Sequence, residues 1–229
     1  MKYLLLSNSS NSGESYMEWC KAKISSFVEE HTENIIFIPY AAASFSFDEY
    51  TENVNNALQD FNIAVKNIAS FDNPIEAINQ ASAIFVGGGN TFHLVNQMQE
   101  KGLIEAIQKK VKSGTPYVGW SAGSNVFCPS ICTTNDMPIT QPQSFNALNL
   151  IDLQINPHYT EKTIPNHGGE SRDQRLKEYL YVNPEETVLC LPEASYVEFN
   201  GTVRTYIGAS DGKLLSSEGT KIISSGTEL

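Results

Sequence analysis

A short β-type run, Tyr117-Val118-Gly119-Trp120, leads straight into Ser121-Ala122-Gly123-Ser124-Asn125. Few local patterns restrict a backbone this strongly. Gly-x-Ser-x-Gly at the end of an apolar β-type segment demands a sharp strand-to-helix turn, with glycines where a side chain would strike neighbouring backbone. A serine on such a turn emerges at the carboxyl edge of a sheet. The N–H of the next residue, Ala122, then sits near a helix N-terminus, where an oxyanion is favoured. The pentapeptide also fits a small-residue turn without chemistry, so the rest of the chain has to decide.

Alternating segments supply the fold class. Residues 3–6 read as a strand and 14–30 as a helix with Met17, Cys20, Ile24 and Phe27 on one face. Residues 34–38 form an apolar strand with almost no alternation, as a strand covered on both faces requires. A helix over 47–61, a short strand over 64–68 and a buried strand over 83–86 follow, then helices over 91–99 and 103–112, the second closed by Ser113-Gly114. This rhythm predicts an α/β fold: a mostly parallel sheet with helices on both faces and a ligand site at the carboxyl ends of its strands. Near the C-terminus the pattern changes. Tyr196-Val197-Glu198-Phe199 alternates, Asn200-Gly201 signals a hairpin, and residues 202–207, 214–215 and 222–223 suggest further strands. These read as a small antiparallel extension. No linker or repeat divides the chain, so residues 1–229 are expected to form a single domain.

Charge and composition narrow the function classes. A formal net charge of −11 with no basic run leaves no surface suited to nucleic acid or anionic membrane. Apolar runs such as Ile35-Ile36-Phe37-Ile38 fall far short of the roughly 20 residues of a membrane span. The opening segment Met1 to Ser7 reads as a first strand rather than a signal peptide. Cys20, Cys128, Cys132 and Cys190 lack C-x-x-C spacing and lie in or near apolar stretches, which points to reduced, buried thiols. No ligand spacing indicates a metal, and no cofactor is expected.

A serine nucleophile needs a base. Of the four histidines, His158 in Gln154-Ile155-Asn156-Pro157-His158-Tyr159 ends an apolar strand-like stretch, where Ser121 should also emerge. His31 lies among polar residues, His93 inside a helix and His167 in a Gly-rich loop. The imidazole needs an orienting carboxylate. Glu193 ends the strand-like Thr187 to Pro192 and is preferred; Asp136, in the loop after the serine, competes. The second oxyanion donor is expected from Gly88 or Gly89 in Val86-Gly87-Gly88-Gly89-Asn90-Thr91, beside Ala122 N–H. That loop lacks both the P-loop ending and the dinucleotide-binding spacing. The order serine, histidine, glutamate differs from the serine, acid, histidine of α/β-hydrolases, so a different topology is predicted.

Several longer stretches resemble the peptidase E family of α-aspartyl dipeptidases. They are Gly-Gly-Gly-Asn-Thr-Phe at 87–92, Gly-Trp-Ser-Ala-Gly-Ser-Asn at 119–125, Thr-Thr-Asn-Asp-Met-Pro-Ile at 133–139 and Gln-Ile-Asn-Pro-His-Tyr at 154–159. Gly169-Glu170-Ser171-Arg172-Asp173-Gln174-Arg175, Leu191-Pro192-Glu193 and the opening Leu4-Leu5-Leu6-Ser7-Asn8-Ser9 match as well. The resemblance implies a cytoplasmic serine exopeptidase on a class I glutamine amidotransferase-like fold, acting on small peptides with an N-terminal aspartate. It puts the nucleophile on Ser121, the base on His158 and the acid on Glu193. It puts recognition of the aspartate side chain on Arg172, whose bidentate guanidinium matches a carboxylate. Asp136 or Glu170 could hold the substrate ammonium, and Asn90 and His167 are further pocket candidates. Ser195 and Tyr196 depart from the glycine-rich continuation expected there and would reshape the pocket rim. A homodimer and a lone chain both stay open. The alternatives are a cyanophycinase-like hydrolase of β-aspartyl peptides and a catalytically idle binding protein on the same fold. An amidotransferase would carry cysteine at 121.

Overall fold

A computed structural model of the chain describes residues 1–163 and 168–229. The strand that delivers Ser121, β5 (Pro116–Trp120), lies inside a seven-stranded sheet. It pairs in parallel with β1 (Lys2–Leu6) on one side and β4 (Ala83–Val86) on the other. Outside β4 come β2 (Ile35–Ile38) and β3 (Val65–Asn67), also parallel. Outside β1, β8 (Ser195–Phe199) and β9 (Arg204–Gly208) run antiparallel. A second sheet has the order β11-β10-β7-β6, from β6 (Gln154–Tyr159), β7 (Val188–Pro192), β10 (Gly212–Ser216) and β11 (Gly219–Ile223).

Alternate residues of the apolar strands serve two cores, because successive side chains point to opposite faces. Leu4, Leu6, Phe37, Phe85 and Trp120 join α1 (Lys21–Val28) and α2 (Phe47–Leu58) through Ile24, Val54 and Leu58. Leu5, Ile36, Ile84 and Tyr117 face the other way. There they meet α3 (Pro74–Gln80), α4 (Thr91–Glu100) and α5 (Leu103–Lys112), together with Ile155, Leu189 and Leu191 of the second sheet. Helix α7 (Arg172–Val182) covers the outer face of that second sheet through Leu176 and Leu180. Among the described residues no helix is long and apolar enough to cross a membrane.

The predicted helix over 14–30 begins only at Lys21. Met17 has φ 61°, a left-handed conformation no right-handed helix includes, so the preceding residues form turns. Met17, Cys20 and Ile24 are buried as their spacing demanded. Helix α3 has no counterpart in the sequence reading, although its start signals are local: the Asn73 side chain caps Glu76 N–H and Pro74 occupies the first turn. The antiparallel segments do not form one extension. The β8–β9 hairpin completes the main sheet, while β10 and β11 complete the second. All four cysteines are free; Cys132 is exposed, against the expectation of a buried thiol. Burial pushes the Cys20 thiol up to about 12.

Tyr50 of α2 ties the end of β5 to the glycine loop after β4. Trp120 Nε1 donates to its hydroxyl at 2.9 Å, and that hydroxyl donates to the Gly88 carbonyl at 3.0 Å. Burial lifts the Tyr50 phenol to about 12, against 10.0 for a free one. The unfolded chain therefore ionises at this position first, so stability is full below pH 10 and falls as the pH rises toward 12. Tyr50→Phe is expected to cost about 2 kcal/mol at pH 8, because Trp120 N–H loses its acceptor. That deficit should shrink between pH 10 and 11.5 in urea unfolding; a deficit constant with pH would refute the coupling.

Candidate active site

Ser121 leaves β5 with φ 54° and ψ −113°, an outlier for a residue with a Cβ and a conformation that costs about 1–3 kcal/mol. The surroundings over-determine it. Ser121 N–H donates to the Leu6 carbonyl at 3.1 Å, and its own carbonyl accepts from Ser124 and Asn125 N–H at 3.0 Å each. The Ser124 hydroxyl reaches the Leu6 and Gly119 carbonyls at 2.7 and 2.9 Å, and Tyr117 Oη binds the Gly123 carbonyl at 2.6 Å. Gly123, in the short helix α6 (Ala122–Asn125), lies against the backbone of β4, so closely that a Cβ would collide with the Val86 carbonyl.

His158 arrives from the other sheet. The register between β6 and β7 shifts between Asn156 and Tyr159, and His158 takes φ 52° there. Its N–H donates to Ser7 Oγ at 2.9 Å, which in turn donates to the Leu191 carbonyl at 2.9 Å. Asn135 holds the preceding carbonyl, that of Pro157, at 2.7 Å. Glu193 follows β7, and the next residue, Ala194, has φ 58° and donates its N–H to Asn8 Oδ1 at 2.9 Å. These turned residues bring three side chains into line. His158 Nε2 lies 3.0 Å from Ser121 Oγ, and His158 Nδ1 lies 3.0 Å from Glu193 Oε1. With Nδ1–H donated to the carboxylate, Nε2 is free to accept the serine proton.

A cavity of about 960 Å³ opens in front of Ser121. Gly88, Gly89, Ala122, Asp136 and Arg172 line it, as the sequence reading required of a pocket, but Asn90 and Glu170 do not. Neither Gly88, Gly89 nor Ala122 N–H has an acceptor among the described residues. Gly89 has φ 135°, and a Cβ there would strike the Ala41 carbonyl. The Asn90 side chain is spent elsewhere: it caps α4 by accepting from His93 N–H at 3.1 Å and donates to the Met137 carbonyl at 2.8 Å. Glu170 is exposed, 3.9 Å from Arg175. Asp136 Oδ2 accepts from Thr91 N–H at 2.7 Å and from Thr91 Oγ1 at 2.6 Å, so the carboxylate anchors its loop to the start of α4 rather than supporting His158. His167 lies outside the described residues.

Arg172, at the start of α7, is half-buried and has no ion pair or hydrogen bond among the described residues. Burial, then the charge of Arg175, lowers its pKa, while Asp136 acts in the opposite sense. A guanidinium remains charged under any such pull. Ser195 and Tyr196 do not reach the rim. Ser195 is buried in β8 with its hydroxyl on the Pro192 carbonyl at 2.5 Å, and Tyr196 packs against Trp19 with ring centroids 6.5 Å apart. Tyr16, Phe45, Asn53 and Asn56 also line the cavity. No sequence motif marks them; the turns before α1 bring in Tyr16, and α2 with the loop before it brings in the other three. Among the described residues no cluster of His, Cys, Asp or Glu could hold a metal ion.

Comparison with known proteins gives a consistent result. The model of peptidase family S51 matches residues 3–219. Peptidase E of Nostoc sp. is 46% identical over 207 residues, 90% of this chain and 86% of that protein. Peptidase E of Actinobacillus pleuropneumoniae serotype 5b is 45% identical over 209 residues, 91% of this chain and 89% of that one. In fold, the chain is similar to the crystal structure of a peptidase from an acI-B1 Actinobacterium, with a TM-score of 0.74 at 18% identity, covering 100% of this chain and 96% of the other.

Proposed function

We propose that this chain, a serine peptidase that belongs to peptidase family S51, removes an N-terminal aspartate from short peptides of the form Asp-X. One observation carries the reading: Arg172, a guanidinium with no ion pair or hydrogen bond among the described residues, lines the same cavity as Ser121 and His158. A planar cation on the cavity wall is suited to a substrate carboxylate, and in a chain of net charge −11 it supplies the local attraction an acidic substrate needs. Asp136 Oδ1 has no hydrogen bond among the described residues and could hold the substrate ammonium. His158 takes the proton from Ser121 Oγ as it attacks the scissile carbonyl. The N–H groups of Ala122 and of Gly88 or Gly89 stabilise the oxyanion. His158 then protonates the leaving amine, and water clears the aspartyl-enzyme. The likeness to proteins named peptidase E supports the same reading. We read the site as working in the cytoplasm, in keeping with four free cysteines.

A β-aspartyl-arginine substrate would need a carboxylate on the leaving side. Among the described residues lining the cavity Asp136 is the only one, and Thr91 already engages it. Hydrolysis of Asp-Leu, Asn-Leu, Glu-Leu and Ala-Leu tests the proposal. Asp-Leu is expected to lead strongly, and Arg172→Ala to lower its kcat/KM by about 100-fold or more, the worth of a charge-assisted bidentate contact of about 3 kcal/mol. Equal rates on Asp-Leu and Ala-Leu would refute it.

A further inference from the structure

Helix α7 carries Arg172 in its first turn, yet its buried side chains, Leu176 and Leu180, lie a turn or more downstream. Apolar packing therefore holds the body of the helix and leaves its beginning to polar contacts. Those contacts converge on Lys213 of β10, whose side chain is only 13% exposed. The ammonium lies 2.9 Å from Tyr159 Oη and 3.5 Å from Asp173 Oδ2, and it pairs closely with Glu161. Tyr159 Oη in turn donates to Asp173 Oδ1. Tyr159 follows His158 directly on β6, and Asp173 follows Arg172 directly on α7.

We infer that Lys213, acting with Tyr159 and Asp173, is a positioning residue that sets the angle at which Arg172 enters the cavity and so tunes affinity for the substrate carboxylate. The inference rests on the dipeptidase reading above. Physically, Asp173 is held from two directions, by a phenol on β6, the strand that carries His158, and by a cation on β10, which lies across β7 from it. With the Ser171 capping box closing the same turn, the first turn of α7 is tied both at its cap and at Asp173. Holding Asp173 in this way also keeps its carboxylate away from the neighbouring guanidinium. Lys213 itself does not line the Ser121 cavity, so its effect on Arg172 is indirect.

Steady-state kinetics on Asp-Leu and Asn-Leu, with thermal unfolding of each variant, test this. Lys213→Met, Tyr159→Phe and Asp173→Asn are each expected to raise KM for Asp-Leu about tenfold, to change kcat by less than about threefold and to reduce the preference for Asp-Leu over Asn-Leu. The double variant Lys213→Met with Asp173→Asn should be no worse than the poorer single one, because the groups act as a unit. Lys213→Arg should recover most of the loss. Where Lys213→Met does not fold, Tyr159→Phe, which removes a single oxygen, carries the same expectation. Folded variants whose KM stays within twofold of wild type, or whose loss falls on kcat, would overturn the positioning role alone. Wild-type protein that leaves Asp-Leu intact would overturn the dipeptidase reading and this inference with it.

Discussion

Ser121→Ala is expected to lower kcat on Asp-Leu by about 10⁴ to 10⁶-fold, the range seen when a nucleophile is deleted from a serine-histidine-acid constellation. The fold should survive, because among the described residues the hydroxyl bonds only to His158 Nε2, and the contacts that hold the elbow use backbone or other side chains. Alanine keeps the Cβ and so pays the same φ 54° cost as serine. A melting temperature close to wild type with turnover near background is the expected pair of results. The residual rate should come from the Gly88, Gly89 and Ala122 N–H groups and from binding alone. Retention of even a tenth of the wild-type turnover would exclude attack by Ser121 and leave the 3.0 Å contact to His158 without a chemical purpose.

Gly123→Ala is expected to be the most destructive substitution of a single hydrogen by a methyl group. The new Cβ would overlap the Val86 carbonyl oxygen and lie 2.8 Å from the carbonyl carbon, both backbone atoms of a central strand. Neither can swing aside as a side chain would, so α6 must lift off β4. Lifting it breaks the Tyr117 Oη bond to the Gly123 carbonyl and releases Ser121 from its strained turn. A loss of about 4 kcal/mol or more is expected, a large share of an ordinary domain's 5–15 kcal/mol. Gly168, where a Cβ meets nothing within 4 Å among the described residues, provides the control and should tolerate alanine within about 0.5 kcal/mol. Urea midpoints of the two variants decide the matter; equal midpoints would mean that β4 and α6 are less tightly packed than the backbone geometry requires.

Much of the architecture was legible because its causes are local. The apolar runs of β2 and β4, the cap of α5 and the Gly-x-Ser-x-Gly turn announce themselves within a few residues. Where the reading failed, a conformation outweighed a pattern. The amphipathic spacing of Met17, Cys20 and Ile24 was real, but a left-handed Met17 stopped the helix from starting before Lys21. Asn90, named as a further pocket candidate, has its amide engaged in capping α4 and in a hydrogen bond to the 137 carbonyl. Lys213 gave no signal at all: nothing local marks a lysine beside a short β-type run until Tyr159 and Asp173 are folded around it.

The sequence by itself determined the elbow and which residue types a serine there would need, because backbone sterics and side-chain chemistry are properties of short stretches. It also placed His158 and Glu193 at strand ends. What only the tertiary structure decided is that those strands belong to a different sheet from β5, and that the two sheets share one core through Ile155, Leu189 and Leu191. That sharing brings the imidazole to the hydroxyl. The physical reason is that hydrophobic burial is non-directional. An apolar strand states that it will be covered, but which sheet it joins depends on packing between segments more than 30 residues apart, and no local pattern encodes that.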